Sequence, residues 1–342
     1  MKRKWKVVLV LAVAVVALVV IYADLLEYGI GQARGQLRVI MDAQPIEVYL
    51  NDPDFPDSLK AKVRIIEEVK AFAIEELGLN RSDNYTSIYD QEGREILWNV
   101  SAADEFELKP FEWSFPIVGT FSYKGFFEKD KAIAERARLD SLGYDTNIRN
   151  VNAWSTLGWF RDPILSNMLY RSEGQLAELI IHELTHATVF VTDSLTFNEN
   201  LASFVGSIGA EAYLKKKYGV NSEELRFYKA SENDYEMYLS HMIRGSKELE
   251  QLYRATEGMD VENRRRLKQE KIREIVHTLD TVSFYQPQRF NRVFQDRLPN
   301  NANLMSYLRY HSQRDLLADQ YLDNFEGDIK AYILYLKEKY GV

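Results

Sequence analysis

The stretch that most constrains this chain is residues 179–187, which read L-I-I-H-E-L-T-H-A and contain the pattern H-E-x-x-H. In a helix each residue turns the chain by about 100°, so His182 and His186 project within roughly 40° of each other. Two imidazoles one turn apart can bind a single metal ion. Glu183 lies beside them, where a carboxylate can take a proton from a metal-activated water. We therefore predict a helix that carries two metal ligands and a general base.

The residues around the motif predict how this helix begins and packs. Residues 172–175 read S-E-G-Q, a capping box, so we expect the helix to start there. A set of apolar residues lies about 120–200° around the helix from His182. These residues are Leu176, Ile180, Leu184, Ala187 and Val191. The pattern predicts an apolar back packed on a core and a histidine side that lines a cleft.

A catalytic zinc ion commonly has three protein ligands and one position for water, so a third ligand is needed. Glu199 lies 13 residues after His186, in the first turn of a further helix that we predict to begin at Asn198. Asp193 lies 7 residues after His186 and stays open as an alternative. We favour Glu199 because several small residues on its helix allow close packing against the histidine helix. These are Ala202, Gly206 and Gly209.

Hydrolysis at such a centre also needs a donor that stabilises negative charge and a segment that holds the substrate. The candidate donors are Tyr310 with His311, His241 and Tyr238. An extended segment just upstream of the motif could pair with a peptide backbone. It contains Asn152, Ala153, Trp154 and Ser155. Glu173, Glu178 and Asp162 are acidic residues near the motif in sequence that could bind a positively charged group of a substrate, and the sequence favours none of them.

The N-terminus predicts a membrane anchor. Residues 1–6 carry Lys2, Arg3, Lys4 and Lys6, and residues 7–23 contain no charge. Seventeen apolar residues are just enough for a spanning helix, and the basic end is expected to stay in the cytoplasm. The prediction is a cytoplasmic segment 1–6, a transmembrane signal-anchor 7–23 in the inner membrane, and a periplasmic domain 24–342. A cleaved signal peptide is the alternative.

Composition excludes several other functions. The net charge of −8 gives no support to nucleic-acid binding. The chain has no cysteine, which excludes disulfides, thiol nucleophiles and cysteine-based zinc sites.

The remaining patterns predict an α+β fold that is mostly helical. Short β-like runs fall between residues 85 and 123 and again at 144–159, and helices are expected at about 58–77 and 129–142. Asp162 and Pro163 together predict a helix start. The C-terminal part reads as helices at about 222–255, 261–281, 302–325 and 327–340.

The motifs resemble known metallopeptidases. H-E-x-x-H followed by N-E-x-x-A is similar to the gluzincins, including the thermolysin-like enzymes. That resemblance implies a zincin-like domain, Zn²⁺ on His182, His186 and Glu199, and an Asn-Ala edge strand for a peptide substrate. Two features depart from it. The spacing to Glu199 is shorter, and Ser203 stands where those enzymes have an aspartate behind the histidine.

A closer resemblance is to a bacterial family of predicted aminopeptidases and extends over nearly the whole region after the anchor. Ordered matches include W-N-V at 98–100, F-P-I-V-G at 115–119, S-T-L-G-W-F at 155–160 and N-N-A at 300–302, and Tyr310-His311 completes them. The resemblance implies a zinc-dependent aminopeptidase and favours Tyr310 and His311 as charge-stabilising or substrate contacts. Many members are lipoproteins, whereas this chain lacks the required cysteine. The alternative function is a non-catalytic interaction or scaffold domain in the envelope, with a structural or lost zinc site.

Overall fold

The structure, a computed structural model, describes residues 5, 22–115, 119–151, 161–192, 194–290, 293–295, 297–309 and 314–340. Helices predominate among them. In chain order they are α1 (Ala23–Asp42), α2 (Ile46–Asn51), α3 (Asp57–Glu75), α4 (Lys129–Ser141), α5 (Glu173–His186), α6 (Leu195–Tyr218), α7 (Glu223–Ala255), α8 (Val261–Thr278), α9 (Asn301–Arg309), α10 (Arg314–Phe325) and α11 (Ile329–Tyr340).

The strands are short and form three small sheets in the described residues. They are β1 (Gln44–Pro45), β2 (Ser87–Tyr89), β3 (Trp98–Ala103), β4 (Trp113–Phe115), β5 (Gly119–Phe121), β6 (Lys124–Phe126), β7 (Asp145–Asn150) and β8 (Ile164–Leu165). Strand β2 pairs antiparallel with β1 and parallel with β8. Strand β3 lies between β6 and β7 in an antiparallel sheet, and β4 pairs with β5. This architecture confirms the predicted α+β class with mostly helical content.

Helix α5 lies at the centre of the largest hydrophobic cluster, which also includes residues of α3, α6 and α11. Its predicted back is buried, because Leu176, Ile180 and Leu184 are each 0% exposed. Fully burying one such side chain contributes about 1.5–3 kcal/mol relative to leaving it in water. The capping box is confirmed, since the Ser172 hydroxyl accepts from the backbone N–H of Gln175. The motif helix is therefore fixed both at its start and along its back.

Two further clusters surround this core. One joins α7, α8 and α9 around Met242 and Leu249. The other lies between the β6-β3-β7 sheet and α4, around Val100 and Leu139. A polar contact connects them, because the ammonium of Lys268 on α8 is 2.6 Å from the carboxylate of Asp145 on β7.

Three predicted element boundaries are wrong. Asp162 and Pro163 do not begin a helix. The amide of Asn84 binds both the backbone N–H and the carboxylate of Asp162, and the next two residues form β8. Helix α3 begins at Asp57, directly after Pro56, one residue before the start expected at Ser58. Helix α6 begins at Leu195, three residues before the predicted start, which places Glu199 in its second turn.

The predicted membrane anchor at residues 7–23 lies almost wholly outside the described residues, which resume at Tyr22. Among the helices that the structure does describe, none combines the length and apolarity required to cross a bilayer.

Candidate metal centre

The two histidines of α5 meet as their spacing predicted. The Nε2 atoms of His182 and His186 lie 3.1 Å apart. The side chain of His186 is 6% exposed and that of His182 is 19% exposed, so the pair lies at the edge of the core with one side accessible.

Glu199 completes a three-residue cluster. Its Oε2 atom is 3.7 Å from Nε2 of His182, and its Oε1 atom is 3.6 Å from Nε2 of His186. The potential ligand atoms of all three residues lie within 4.8 Å of one another. Ligand atoms held at about 2.0–2.1 Å from zinc in tetrahedral geometry lie about 3.4 Å apart. The observed separations therefore fit a zinc ion without rearrangement of the backbone.

Asn198 fixes the connection that brings Glu199 to the histidines. Its side-chain oxygen accepts from the backbone N–H of Val191 at 2.8 Å, and its amide nitrogen donates to the Val191 carbonyl, also at 2.8 Å. Asn198 is 2% exposed, so water does not compete for these bonds. The two bonds hold the start of α6 against the end of α5, and Glu199 follows directly.

Gly206 allows α6 to lie close to α5. A Cβ atom at this position would be 2.9 Å from the carbonyl oxygen of Glu178 and 3.2 Å from Cβ of His182. Both distances are shorter than ordinary contacts, and one involves backbone that cannot rotate away. The absence of a side chain at Gly206 is thus part of how Glu199 comes close to the two histidines.

Burial sets the charge state of the histidines. Desolvation lowers the pKa of His182 to about 3, and the neighbouring His186 contributes to that shift. Desolvation alone lowers the pKa of His186 to about 4. Both imidazoles are therefore neutral near pH 7, the state in which a ring nitrogen can bind a metal.

The amino-acid sequence matches one known protein family over most of its length. Residues 27–338 match the family described as "Putative aminopeptidase". The chain belongs to this aminopeptidase family. No curated protein and no solved structure matches it. The family match confirms the resemblance to aminopeptidases inferred from the sequence, while the likeness to gluzincins stays a prediction.

In this family member the partner behind His182 is a hydroxyl. The Oγ atom of Ser203 is 3.4 Å from Nδ1 of His182, a long contact for a hydrogen bond. The other histidine differs, because Nδ1 of His186 is buried with no hydrogen-bond partner among the described residues. Metal-binding histidines usually donate this second N–H to a fixed acceptor. Among the described residues, the hydrogen bonding behind the two histidines is therefore weak.

Tyr85 is a site neighbour that sequence reasoning missed. It is 2% exposed, and its pKa is raised well above the usual value by burial and then by the negative charges of Glu183 and Asp162. Its backbone has φ of 61°, unusual for a residue with a side chain. The Tyr85 N–H donates to the Asp162 carbonyl at 2.7 Å, which helps to hold this conformation. No pattern in the sequence signals such a contact across 98 positions.

All three acidic candidates for substrate-amine binding already have hydrogen-bond partners within the protein. Glu173 accepts from the Tyr218 hydroxyl at 2.8 Å and pairs with the Lys217 ammonium at 2.9 Å. Asp162 is 1% exposed and bound by Asn84. Glu178 accepts from the Tyr228 hydroxyl at 3.2 Å. It lies one helical turn before His182 and remains the candidate nearest to the metal ligands along α5.

Tyr238 and His241 serve the packing of α7. The hydroxyls of Tyr238 and Tyr307 lie 2.8 Å apart inside the second hydrophobic cluster. Nε2 of His241 lies 2.8 Å from the Ile275 carbonyl, and Nδ1 lies 3.1 Å from the Arg244 guanidinium. These contacts give both residues a role in packing. The preference for Tyr310 and His311 as donors, which the family resemblance implies, stays a prediction. Several predicted site residues lie outside the described part of the chain. They are Tyr310 and His311, the alternative ligand Asp193, and the candidate substrate segment with Asn152, Ala153, Trp154 and Ser155.

The contact at Gly206 gives a test of the site's construction. We expect Gly206→Ala to destabilise the fold by about 1–3 kcal/mol, because the new Cβ forces α5 and α6 apart. Zinc affinity should fall with it, since Glu199 moves away from the histidines. Chemical denaturation and zinc titration measure the two effects. The control is Gly29→Ala on α1, because a Cβ atom at Gly29 would have no other atom within 4 Å. This change should raise the free energy of unfolding by up to about 1 kcal/mol. Unchanged stability and zinc affinity for Gly206→Ala would contradict this account.

Proposed function

We propose that this chain is a membrane-anchored zinc metallopeptidase of the aminopeptidase type. The observation that carries the proposal is the cluster of His182, His186 and Glu199, whose potential ligand atoms lie within 4.8 Å of one another. Two neutral imidazoles and one carboxylate are a known ligand set for catalytic zinc. Membership of an aminopeptidase family supports the reaction class.

His182, His186 and Glu199 would hold the zinc ion. Zinc in such a site supplies Lewis-acid polarisation of water and of a substrate carbonyl. Glu183 follows His182 directly on α5, is half-buried, and is close enough to Tyr85 for its charge to affect that phenol. We assign Glu183 as the base that takes a proton from the attacking water and returns it to the leaving amine.

The remaining roles rest on the sequence and the family resemblance. Asn152, Ala153, Trp154 and Ser155 are proposed to pair with the substrate backbone, and Tyr310 and His311 to stabilise negative charge on the substrate. Glu178 is proposed to receive the substrate's amino group, because it lies one turn from His182 on α5.

The location is proposed from the N-terminal sequence. A basic segment at residues 1–6 followed by the uncharged residues 7–23 supports an anchor in the inner membrane. In that orientation residues 24–342 would lie in the periplasm, where a secreted or imported peptide would be the substrate. Protease protection in sealed inverted and right-side-out vesicles would test this orientation.

The assignment predicts a defined activity. The purified full-length chain should release N-terminal residues from short peptides, lose this activity with a zinc chelator and regain it when zinc is restored. Peptides with a blocked amine are expected to be poor substrates. The measurements are amino-acid release by mass spectrometry and zinc content by elemental analysis. Stoichiometric zinc without turnover of any peptide would favour the scaffold alternative over catalysis.

A further inference from the structure

Helix α1 has two apolar faces on opposite sides, and only one of them is packed. On the packed face, the hydroxyl of Tyr28 donates to the Gly125 carbonyl at 3.0 Å, and Val39 is 2% exposed. On the other face, Leu26, Ile30 and Leu37 are 45%, 63% and 46% exposed. Isolated exposed apolar residues are ordinary, but a continuous exposed apolar face indicates a binding surface.

The exposed face has the spacing of a coiled coil. Six apolar residues follow one another at intervals of three, four, three, four and three. These residues, which we call the α1 seam, are Ala23, Leu26, Ile30, Ala33, Leu37 and Ile40. Such spacing corresponds to the a and d positions of heptads, whose side chains interlock with those of a partner helix. Five of the six seam residues are exposed and Ile40 is half-buried, so most of the seam is open to a partner.

We propose that the α1 seam binds the α1 seam of a second copy of this chain, with the two helices antiparallel. In this arrangement a positions face d positions, and each layer joins residues whose numbers add to 63. Leu26 then meets Leu37 of the second copy, and Ile30 meets Ala33 of the second copy. The two central layers pair Ile30 with Ala33, and the two outermost pair Ala23 with Ile40, so each joins a large side chain to a small one and fills space without overpacking. The Leu26–Leu37 layers lie between them.

Charges beside the seam fit this orientation. Glu27 and Arg34 occupy the same flanking position in consecutive heptads, and residues at this position meet across an antiparallel pair. Glu27 of each copy therefore lies beside Arg34 of the other, which forms two symmetric ion pairs. Arg34 has no ion-pair partner in the described part of its own chain. Glu27 is 71% exposed and pairs with Lys131 at 3.1 Å, an exposed contact that contributes little by itself.

A lipid surface fits the seam less well. Helices that lie in a membrane interface are rich in lysine and arginine beside their apolar face and carry large side chains such as Trp and Phe on it. Helix α1 has three acidic residues and two basic ones, and two of its seam residues are alanines. A helix of 20 residues forms just under three heptads. The surface buried between two such helices would therefore be near the lower limit for specific protein–protein interfaces, about 1,200 Å². We expect a dimer that dissociates on dilution.

Charge exchange tests the proposed pairing. The full-length chain in mild detergent is studied by sedimentation equilibrium over a series of concentrations. Glu27→Arg and Arg34→Glu should each weaken the dimer by about tenfold or more, because like charges then face each other. The double variant should recover dimerisation. Arg38→Glu, at an exposed position of α1 away from the seam, is the matched control and should dimerise as the unmodified chain does.

Disulfide cross-linking tests the orientation of the two helices. The chain has no cysteine of its own, so only the introduced cysteines can form a disulfide. A Leu26→Cys copy mixed with a differently sized Leu37→Cys copy should give a disulfide-linked heterodimer on mild oxidation. Leu26→Cys alone should give little product. Preferential linkage of Leu26→Cys to itself would overturn the antiparallel arrangement. A monomer at every concentration would overturn the dimer, whether or not the chain binds phosphatidylcholine–phosphatidylglycerol vesicles through the seam.

Discussion

The variant Glu183→Gln is expected to keep its zinc and to lose about 10²–10⁴-fold of its peptide turnover, the usual contribution of a positioned general base. Glutamine has nearly the shape of glutamate but cannot accept the proton of the attacking water. The loss should appear in kcat, since the change leaves His182, His186 and Glu199 in place. Steady-state kinetics on a short peptide, with zinc content measured on the same sample, gives both quantities.

The exposed Glu257 offers a matched control. Glu257→Gln makes the same chemical change at a residue distant in sequence from Glu183 that has no role in the proposed mechanism, and it should leave kcat unchanged. Turnover by Glu183→Gln within a few-fold of the unmodified chain would remove Glu183 as the base. Loss of zinc together with activity would instead show that Glu183 supports the ligand cluster.

The second large effect is expected at the third ligand. Glu199→Ala should lower zinc affinity by more than about 100-fold. Replacing a residue that only hydrogen-bonds to a metal ligand already lowers metal affinity by about 10–100-fold, and Glu199 is itself a proposed ligand. The side chain is 27% exposed, and its removal leaves the helix intact, so the folded structure should persist. Competition with a chromophoric chelator measures affinity, and circular dichroism checks the fold.

Asp193 is the control for this experiment, because it is the other carboxylate that the sequence offered. Asp193→Ala should bind zinc as tightly as the unmodified chain. If Asp193→Ala lost zinc and Glu199→Ala retained it, the ligand set would be His182, His186 and Asp193, and the cluster described above would need another explanation.

Sequence reasoning succeeded where the relevant forces act locally. Helix periodicity placed His182 and His186 together, and the Ser172 capping box marked the start of α5 correctly. The approach of Glu199 was predicted from small residues on the following helix, and Gly206 does provide that close contact. The first two features depend on residues within about one or two turns of one helix, and the third on two helices that are consecutive in the chain.

The errors and omissions arise where distant parts of the chain meet. Asp162 has the residue type and the following proline of a helix cap, but the amide of Asn84, 78 positions earlier, binds it instead. The effect of the Glu183 charge on the pKa of Tyr85 also arises from parts of the chain that are distant in sequence. Asn198 appeared in a recognisable motif, yet its two bonds to Val191 required the fold of the connecting loop. Pairings across long sequence separations leave no periodic pattern.

The bonds between Asn198 and Val191 have a thermodynamic consequence. Together with the close contact at Gly206, they hold the three ligand side chains in position through the protein's own hydrogen bonds and core packing. Metal uptake then requires little ordering of the chain, in contrast to small zinc domains that are unfolded until the ion arrives. In the proposed zinc site, the free energy of binding would not be needed to fold the chain, and the ion would stabilise the native state by mass action alone. If the cluster binds zinc as proposed, a chain that has lost the ion therefore keeps the three side chains placed to bind it again.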